Sequence, residues 1–176
     1  MPACLISVAG NIDPHHWLPL AVRRLCDFVQ VEAVSPFFIT PPIGRPEQPD
    51  YRNGVLQCQA KLQPRPLKFE ILRSIELEHG RTRGEDPYAA RTVDLDLLDW
   101  GGIILNEPGL QLPDPDLSER PFLAAAVLAL NPEYSLPDGG LLRDRFDFAV
   151  CEAYPVDIPL TQTIKELITY ESGSSQ

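Results

Sequence analysis

Positive charge is scarce in this sequence: 15 basic residues stand against 25 acidic ones, for a net charge of -10. Proteins that bind nucleic acid draw most of their affinity from cation–phosphate contacts, so DNA or RNA is not an expected partner. Long apolar runs are also missing. No stretch approaches the roughly 18 apolar residues that a membrane-spanning helix needs, and no basic segment followed by an apolar run opens the chain. A cytoplasmic protein is the expectation. Cysteines are few and scattered: Cys4, Cys26, Cys58 and Cys151 form no CxxC pair and read as reduced, mostly buried small hydrophobes. Three histidines, His15, His16 and His79, are too few and too poorly spaced for a zinc site. The Walker A, GxGxxG, HExxH and GxSxG patterns are all absent, so the common nucleotide, metalloprotease and serine-hydrolase signatures do not apply.

What is present is a foldable chain. Its 176 residues suit one domain with a sizeable core, and 44% of them are hydrophobic. The 19 prolines argue for turns and long loops rather than a helical bundle. Leu5–Val8 reads as a first strand, followed by a turn at Ala9-Gly10-Asn11 and a helix over Pro14–Phe28. In that helix Asp13 is the expected cap and Pro19 an expected kink or delayed start. Val29–Val34 predicts a strand. Phe37–Tyr51 carries four prolines and predicts a loop without regular structure. Leu56–Leu62 alternates as a half-buried strand, and a second helix covers Pro66–His79 with Gly80 as its cap.

Arg81–Arg91 is polar and irregular, and Thr92–Asp99 alternates again. Trp100-Gly101-Gly102 turns into a short strand at Ile103–Leu105. Asp116-Leu-Ser-Glu119 resembles a capping box ahead of a third helix, and Thr163–Tyr170 predicts a short last one. The order β-α-β-β-α-β fits an α+β, ferredoxin-like plan: an antiparallel sheet with helices on one face. Residues 1–142 are expected to form the main domain. Residues 143–176 then make a C-terminal extension whose last residues, Glu171–Gln176, fray.

The most informative pair is Asp94 and Asp96. Two apart on a strand, they leave one face while Val93, Leu95 and Leu97 take the other. Adjacent carboxylates repel unless a cation lies between them, and hard oxygen donors suit Mg²⁺ completed by substrate phosphates. Arg81, Arg83 and Arg91, in the loop feeding this strand, supply the cations a phosphate needs. The competing reading is a solvated pair of acids, with the arginines held in surface ion pairs by Glu76, Glu78, Glu85 and Asp86. Arg23, Arg24, Arg45 and Arg65 read as solvated.

Several ordered segments carry a resemblance: ITPPIG at Ile39–Gly44, QPDYRN at Gln48–Asn53, IELEHGRTR at Ile75–Arg83, ARTVDLDLL at Ala90–Leu98, and NPE followed by PDG within Asn131–Gly139. On these the chain resembles the 6-hydroxymethyl-7,8-dihydropterin pyrophosphokinase family of the folate pathway, over roughly Leu5–Gly139. The resemblance implies an ATP-dependent transferase acting on small molecules, working as a monomer, with two Mg²⁺ ions on Asp94 and Asp96. It implies a catalytic group of Arg81, Arg83, Arg91, Asp94 and Asp96. Nucleotide contacts would come from Glu76, Arg83, Tyr88, Arg91, Leu97, Asp114 and Arg120. Pterin contacts would come from Thr40, Pro41, Ile43, Tyr51, Asn53, Asp94 and Phe122.

The chain also departs from the family pattern. Ala9-Gly10 replaces Gly-Ser, Gly84–Pro87 lacks basic residues, Gly109 stands where some members have arginine, and Asp114 stands where a phosphate-contacting histidine is common. An anion at 114 predicts weaker nucleotide binding unless a metal or an arginine compensates. Three readings remain open: an active pyrophosphokinase, a divergent paralogue acting on or merely binding another pterin, and a ferredoxin-like interaction module.

Overall fold

The computed structural model describes residues 1–82, 86, 88–147 and 154–173. Its main sheet contains β1 (Ala3–Gly10), β2 (Val29–Val34), β3 (Phe38–Thr40), β4 (Tyr51–Ala60) and β5 (Asp94–Trp100). Strands β2, β4, β1 and β5 lie in that order, all antiparallel, and β3 also pairs with β4. A separate hairpin joins β6 (Leu105–Glu107) to β7 (Leu110–Leu112). The helices are α1 (Pro14–Leu25), a continuous helical stretch, α4 (Asp116–Glu119), α5 (Pro121–Leu130), a 3₁₀ turn (Leu142–Arg145) and α6 (Ile158–Gly173). The continuous stretch is built from α2 (Pro64–Pro66), a π-helical turn (Leu67–Leu72) and α3 (Arg73–Glu78).

The fold is α+β, with helices on both sheet faces rather than the one expected. β1 shows why. Its Cys4, Ile6 and Val8 share a core with Leu18, Ala21, Val22 and Leu25 of α1. Leu5 points the other way and joins Val55, Leu98 and the α5 residues Leu123, Ala124 and Val127 in a second core. Period-two alternation sends successive side chains to opposite faces, so a strand apolar at both sets of positions needs a cover on each. α5, hydrophobic nearly all round, is that second cover.

Several local expectations are corrected. Asp13 does not cap α1 with its side chain. It adopts a left-handed conformation (φ 41°), and its carbonyl accepts the N–H groups of His16 and Trp17 at 3.0 and 3.1 Å. The helix runs through Pro19. Asp116–Glu119 is not a capping box, since Asp116 lies inside α4 and its N–H donates to Asp114 Oδ1 at 2.9 Å. The proline-rich loop holds a strand after all, β3, whose three residues were hidden between Pro36 and Pro41. β4 starts at Tyr51, ahead of the expected Leu56, because its first residues are polar: Tyr51 and Asn53 line the cavity described below, and Arg52 turns away to Asp157. The strand expected at Ile103–Leu105 lies two residues on.

The C-terminal segment is part of the same core. Leu160, Ile164 and Ile168 recur every four residues along α6 and bury in the α1-side cluster. Just before the helix, Asp157 N–H donates to the Phe37 carbonyl at 2.8 Å, and Ile39 N–H donates to that of Pro155 at 2.8 Å. The Asp157 carboxylate accepts Arg52 Nε at 2.8 Å and pairs with His15 Nε2 at 2.9 Å. The helix begins and ends beyond the expected Thr163–Tyr170, and residues 174–176 lie outside the described residues, as does Cys151. Cys4 and Cys58 are free thiols. Burial and the hydrogen bond with Cys4 push the Cys58 thiol up, the latter most strongly. No helix among the described residues is long and apolar enough to cross a membrane.

Gly54 of β4 makes room for the buried Phe37 ring, since a Cβ there would sit 2.7 Å from Phe37 Cε2. Gly54→Ala is expected to lower stability by about 1–3 kcal/mol through overpacking. A fall in the urea midpoint at unchanged m value would report it.

Candidate active site

The strand register assembles the site. On the sheet face covered by α5, Asp94 lies opposite Ala9, and Ala9 lies opposite Asn53 on its other side. Asn53 in turn pairs with Phe38 of β3. Two residues along, Asp96 is opposite Ser7. Large side chains at 7 and 9 would fill this face; serine and alanine leave it open above the two carboxylates. The opening is a cavity of about 460 Å³ lined by β1, β3, β4, β5, the helical stretch, the two long loops, and the start of α4 and α5.

One end of the cavity is ionic. Arg81 pairs with both Glu76 and Asp94, and Arg91 pairs with the second oxygen of Asp94. Glu76 is 1% exposed, and its Oε1 also accepts the Leu95 N–H at 2.9 Å, so the helix, the loop and β5 meet at one carboxylate. Burial pushes the Asp94 carboxyl up, but the guanidiniums of Arg81 and Arg91 outweigh it and hold the group below the usual carboxylate range. Burial pulls Arg91 down, and Asp94 more than restores it. Lys68 Nζ lies 2.6 Å from Asp96 Oδ1, and Arg120 Nε lies 2.6 Å from Asp116 Oδ2. Among the described residues, five cations (Lys68, Arg73, Arg81, Arg91, Arg120) and five carboxylates (Glu76, Asp94, Asp96, Asp114, Asp116) therefore line one cavity.

The other end suits a flat polar ring. Asn53 and Thr40 are both nearly buried, and Asn53 Nδ2 donates to Thr40 Oγ1 at 2.7 Å. Tyr51, Phe122 and Ile43 add aromatic and apolar surface. Phe122 is held edge-on against Tyr154, with ring centroids 6.1 Å apart. The two loops over the cavity touch each other. Gln48 Nε2 donates to the Tyr88 carbonyl at 2.9 Å, and Arg45 pairs with Asp86 at 2.5 Å.

Buried Asn11 ties both loops to the end of β1. Its Oδ1 accepts the Arg91 N–H at 2.8 Å, and its Nδ2 donates to Gln48 Oε1 and to the Pro49 carbonyl at 3.2 and 3.1 Å. Gly10 beside it has no room for a side chain, because a Cβ would meet the Thr92 carbonyl at 2.4 Å.

Most residues expected at the site line this cavity: Thr40, Ile43, Tyr51, Asn53, Glu76, Arg81, Tyr88, Arg91, Asp94, Asp96, Asp114, Arg120 and Phe122. Arg83 lies outside the described residues. The structure does not bring Pro41 to the cavity lining. The Leu97 side chain is wholly buried in the α1-side core, on the opposite face of β5 from the cavity, so only its backbone could meet a ligand there. The solvated readings of Arg24 and Arg65 hold, each being an exposed partner of exposed acids. Arg45 instead fastens one loop to the other.

Lys68, Arg73, Ser7, Gln48 and Asn11 were missed. For Ser7 a signal existed, since the alternation of β1 places it on the face of Asp96. For Lys68 and Arg73 it did not, because residues five apart diverge on an α-helix. Among the described residues no three His, Cys, Asp or Glu groups converge as a ready-made metal cluster. Two carboxylates on one open face, flanked by cations, fit Mg²⁺ shared with phosphate oxygens rather than a closed protein cage.

Asp114 is the anomaly of the ionic end. Burial, together with the charges of Asp96 and Asp116, raises its carboxyl from 3.8 to about 6, against the Asp116 N–H that favours its ionised form. A raised carboxyl pKa means the folded state holds the proton more tightly than the unfolded chain does. Stability is therefore complete below the unfolded value and declines as pH rises through about 6. Asp114→Asn keeps an acceptor for the Asp116 N–H and removes that decline. It should be more stable than the parent at pH 8, by up to about 3 kcal/mol. The difference should fade towards pH 4, as denaturation at the two pH values would show.

Comparison with known proteins agrees with this geometry. Residues 5–132 match the sequence profile of the 7,8-dihydro-6-hydroxymethylpterin-pyrophosphokinase family. The Pseudomonas aeruginosa 2-amino-4-hydroxy-6-hydroxymethyldihydropteridine pyrophosphokinase is 39% identical over 138 residues, spanning 76% of this chain and 83% of that protein. The Synechocystis protein of the same name is 32% identical over 139 residues, spanning 77% and 70%. Among solved structures, Plasmodium falciparum HPPK-DHPS with pterin and p-hydroxybenzoate superposes with a TM-score of 0.64 at 10% identity, over 94% of this chain and 44% of that one. That likeness speaks for the fold alone. With the profile covering the strands, helices and loops that build the cavity, the chain belongs to the 7,8-dihydro-6-hydroxymethylpterin-pyrophosphokinase family.

Proposed function

We propose that this protein transfers pyrophosphate from Mg-ATP to 6-hydroxymethyl-7,8-dihydropterin, giving AMP and the pterin diphosphate, in folate biosynthesis. One observation carries the reading: a single cavity joins an amide–hydroxyl–aromatic end to an acid–arginine end on one sheet face. The first end recognises a flat heterocycle. Asn53 offers its amide to the ring's polar edge, with Thr40 fixing its orientation, while Tyr51 and Phe122 flank the faces. The second end handles phosphate. Asp94 and Asp96 would hold two Mg²⁺ ions, whose chemistry is to neutralise phosphate charge. Arg81 and Arg91 line the same space and hold phosphate oxygens, as does Arg120, with Arg83 assigned alongside them.

The pterin hydroxymethyl oxygen attacks the β-phosphorus, and the bond from that phosphorus to the α-bridging oxygen breaks, so AMP leaves and no covalent enzyme intermediate forms. The protein's share is alignment, charge compensation and the exclusion of water by the two joined loops. We read the strand order as the ferredoxin-like plan. In this reading residues 1–142 form the catalytic domain and 143–176 an extension, and the protein acts as a cytoplasmic monomer on small molecules. Asp114 favours a second reading, a paralogue that binds a pterin without turnover.

Pterin-dependent release of AMP from Mg-ATP separates the two. The purified protein should release AMP only when the pterin is present, and Asp96→Asn should lower the rate at least about 100-fold. Tight pterin binding without AMP would sink the transferase. Asn53→Ala should weaken pterin binding about tenfold, the cost of roughly one hydrogen bond, while leaving Mg-ATP binding in place. Titration calorimetry with each ligand separately measures this.

A further inference from the structure

Lys68 and Arg73 line the cavity, yet nothing in the family resemblance assigns them a role. Five residues apart, they would point about 140° from one another on an α-helix of 3.6 residues per turn. The helical stretch is π-helical over Leu67–Leu72, and in a ladder of i→i+5 hydrogen bonds residues five apart stack. The π turn thus turns two cations towards one space. Such turns weaken a helix and persist mostly where function uses them.

Each cation is held in a defined place. The Arg73 guanidinium lies 4.3 Å over the Phe69 ring and has no carboxylate partner among the described residues. Phe69 itself occupies the space beside Gly109, where an added Cβ would meet its Cζ at 3.3 Å. Lys68 is only 15% exposed and pairs with Asp96 at 2.6 Å. Its charge also reaches Asp114, which Asp96 opposes. Among the described residues, the cavity without Lys68 and Arg73 would set five carboxylates against three guanidiniums, which disfavours a polyanion.

We propose that Lys68 and Arg73 form a phosphate-binding pair, aimed by the π turn, that contacts the phosphate chain of Mg-ATP and offsets Asp114. The proposal rests on Mg-ATP being the nucleotide substrate. It assigns the pair to nucleotide affinity and not to the pterin end.

Calorimetric titration of Lys68→Met, Arg73→Gln and Lys68→Arg with Mg-ATP, adenosine and the pterin tests this, with unfolding midpoints recorded alongside. The first two variants should each bind Mg-ATP about tenfold or more weakly, the worth of one charge-assisted contact, and Lys68→Arg should keep most of the affinity. Adenosine and pterin binding should stay within about twofold of the parent, because neither carries the phosphate chain that these cations contact. Adding Asp114→Asn to Lys68→Met should recover part of the loss. Parent-like Mg-ATP affinity in both single variants would overturn the pair. So would an equal loss for all three ligands, which marks a structural role, or a parent protein that does not bind Mg-ATP. A parent that binds Mg-ATP through these residues but releases no AMP with the pterin would defeat the transferase reading and leave this inference standing.

Discussion

The site depends on the compensation of charge at Asp94. A carboxylate this enclosed is tolerated only when paired, and here Arg81 and Arg91 each take one of its oxygens. Arg81 also holds Glu76, which is almost fully buried, and Glu76 accepts a backbone N–H of β5. Loss of any member would leave the remaining buried charges less fully compensated, so electrostatics ties helix, loop and strand together alongside the apolar packing of Ile75, Val93 and Leu95. Under the proposed function, the groups that would engage a phosphate and its metal are here paired with one another.

Around that cluster the sheet does two jobs. Its α1 face is a dry core. Its other face is dry only where α5 covers it and open where serine and alanine on β1 lie opposite the aspartates. Asn11, at the end of the same strand, anchors both loops that overhang the opening. The C-terminal helix braces the opposite margin, since the segment leading into it bonds to Phe37 and Ile39, next to Thr40. A part of the chain outside the matched family segment therefore steadies the edge of the pocket.

Much of this was legible in the residues. The alternation through Asp94–Leu98 placed two acids on one face and leucines on the other, and the arginine-bearing loop before it pointed to phosphate chemistry. The failures share a cause. The β3 strand is three residues between prolines, too short to show a period. Asp13 and Asp116 were expected as caps, but Asp13 offers its carbonyl rather than its side chain, and Asp116 lies inside α4 with Asp114 accepting its N–H. Leu97 was assigned a ligand contact by resemblance, although the strand's own alternation turns it into the core. Lys68 and Arg73 look divergent on an α-helix, and only the π turn brings them together.

The sequence by itself determined the pattern of polar and apolar positions, and with it the strands, the main helices, the paired aspartates and the family. It could do so because side-chain direction within a strand or helix follows from a local period. Tertiary structure alone decided which faces meet: that α5 closes the second side of the sheet, that Asn11 joins the loop at Gln48 to the loop at Arg91, and that among the described residues five cations face five carboxylates in one cavity. These depend on strand order, register and hydrogen-bond ladder. All three are set by contacts between distant residues, which no local period records.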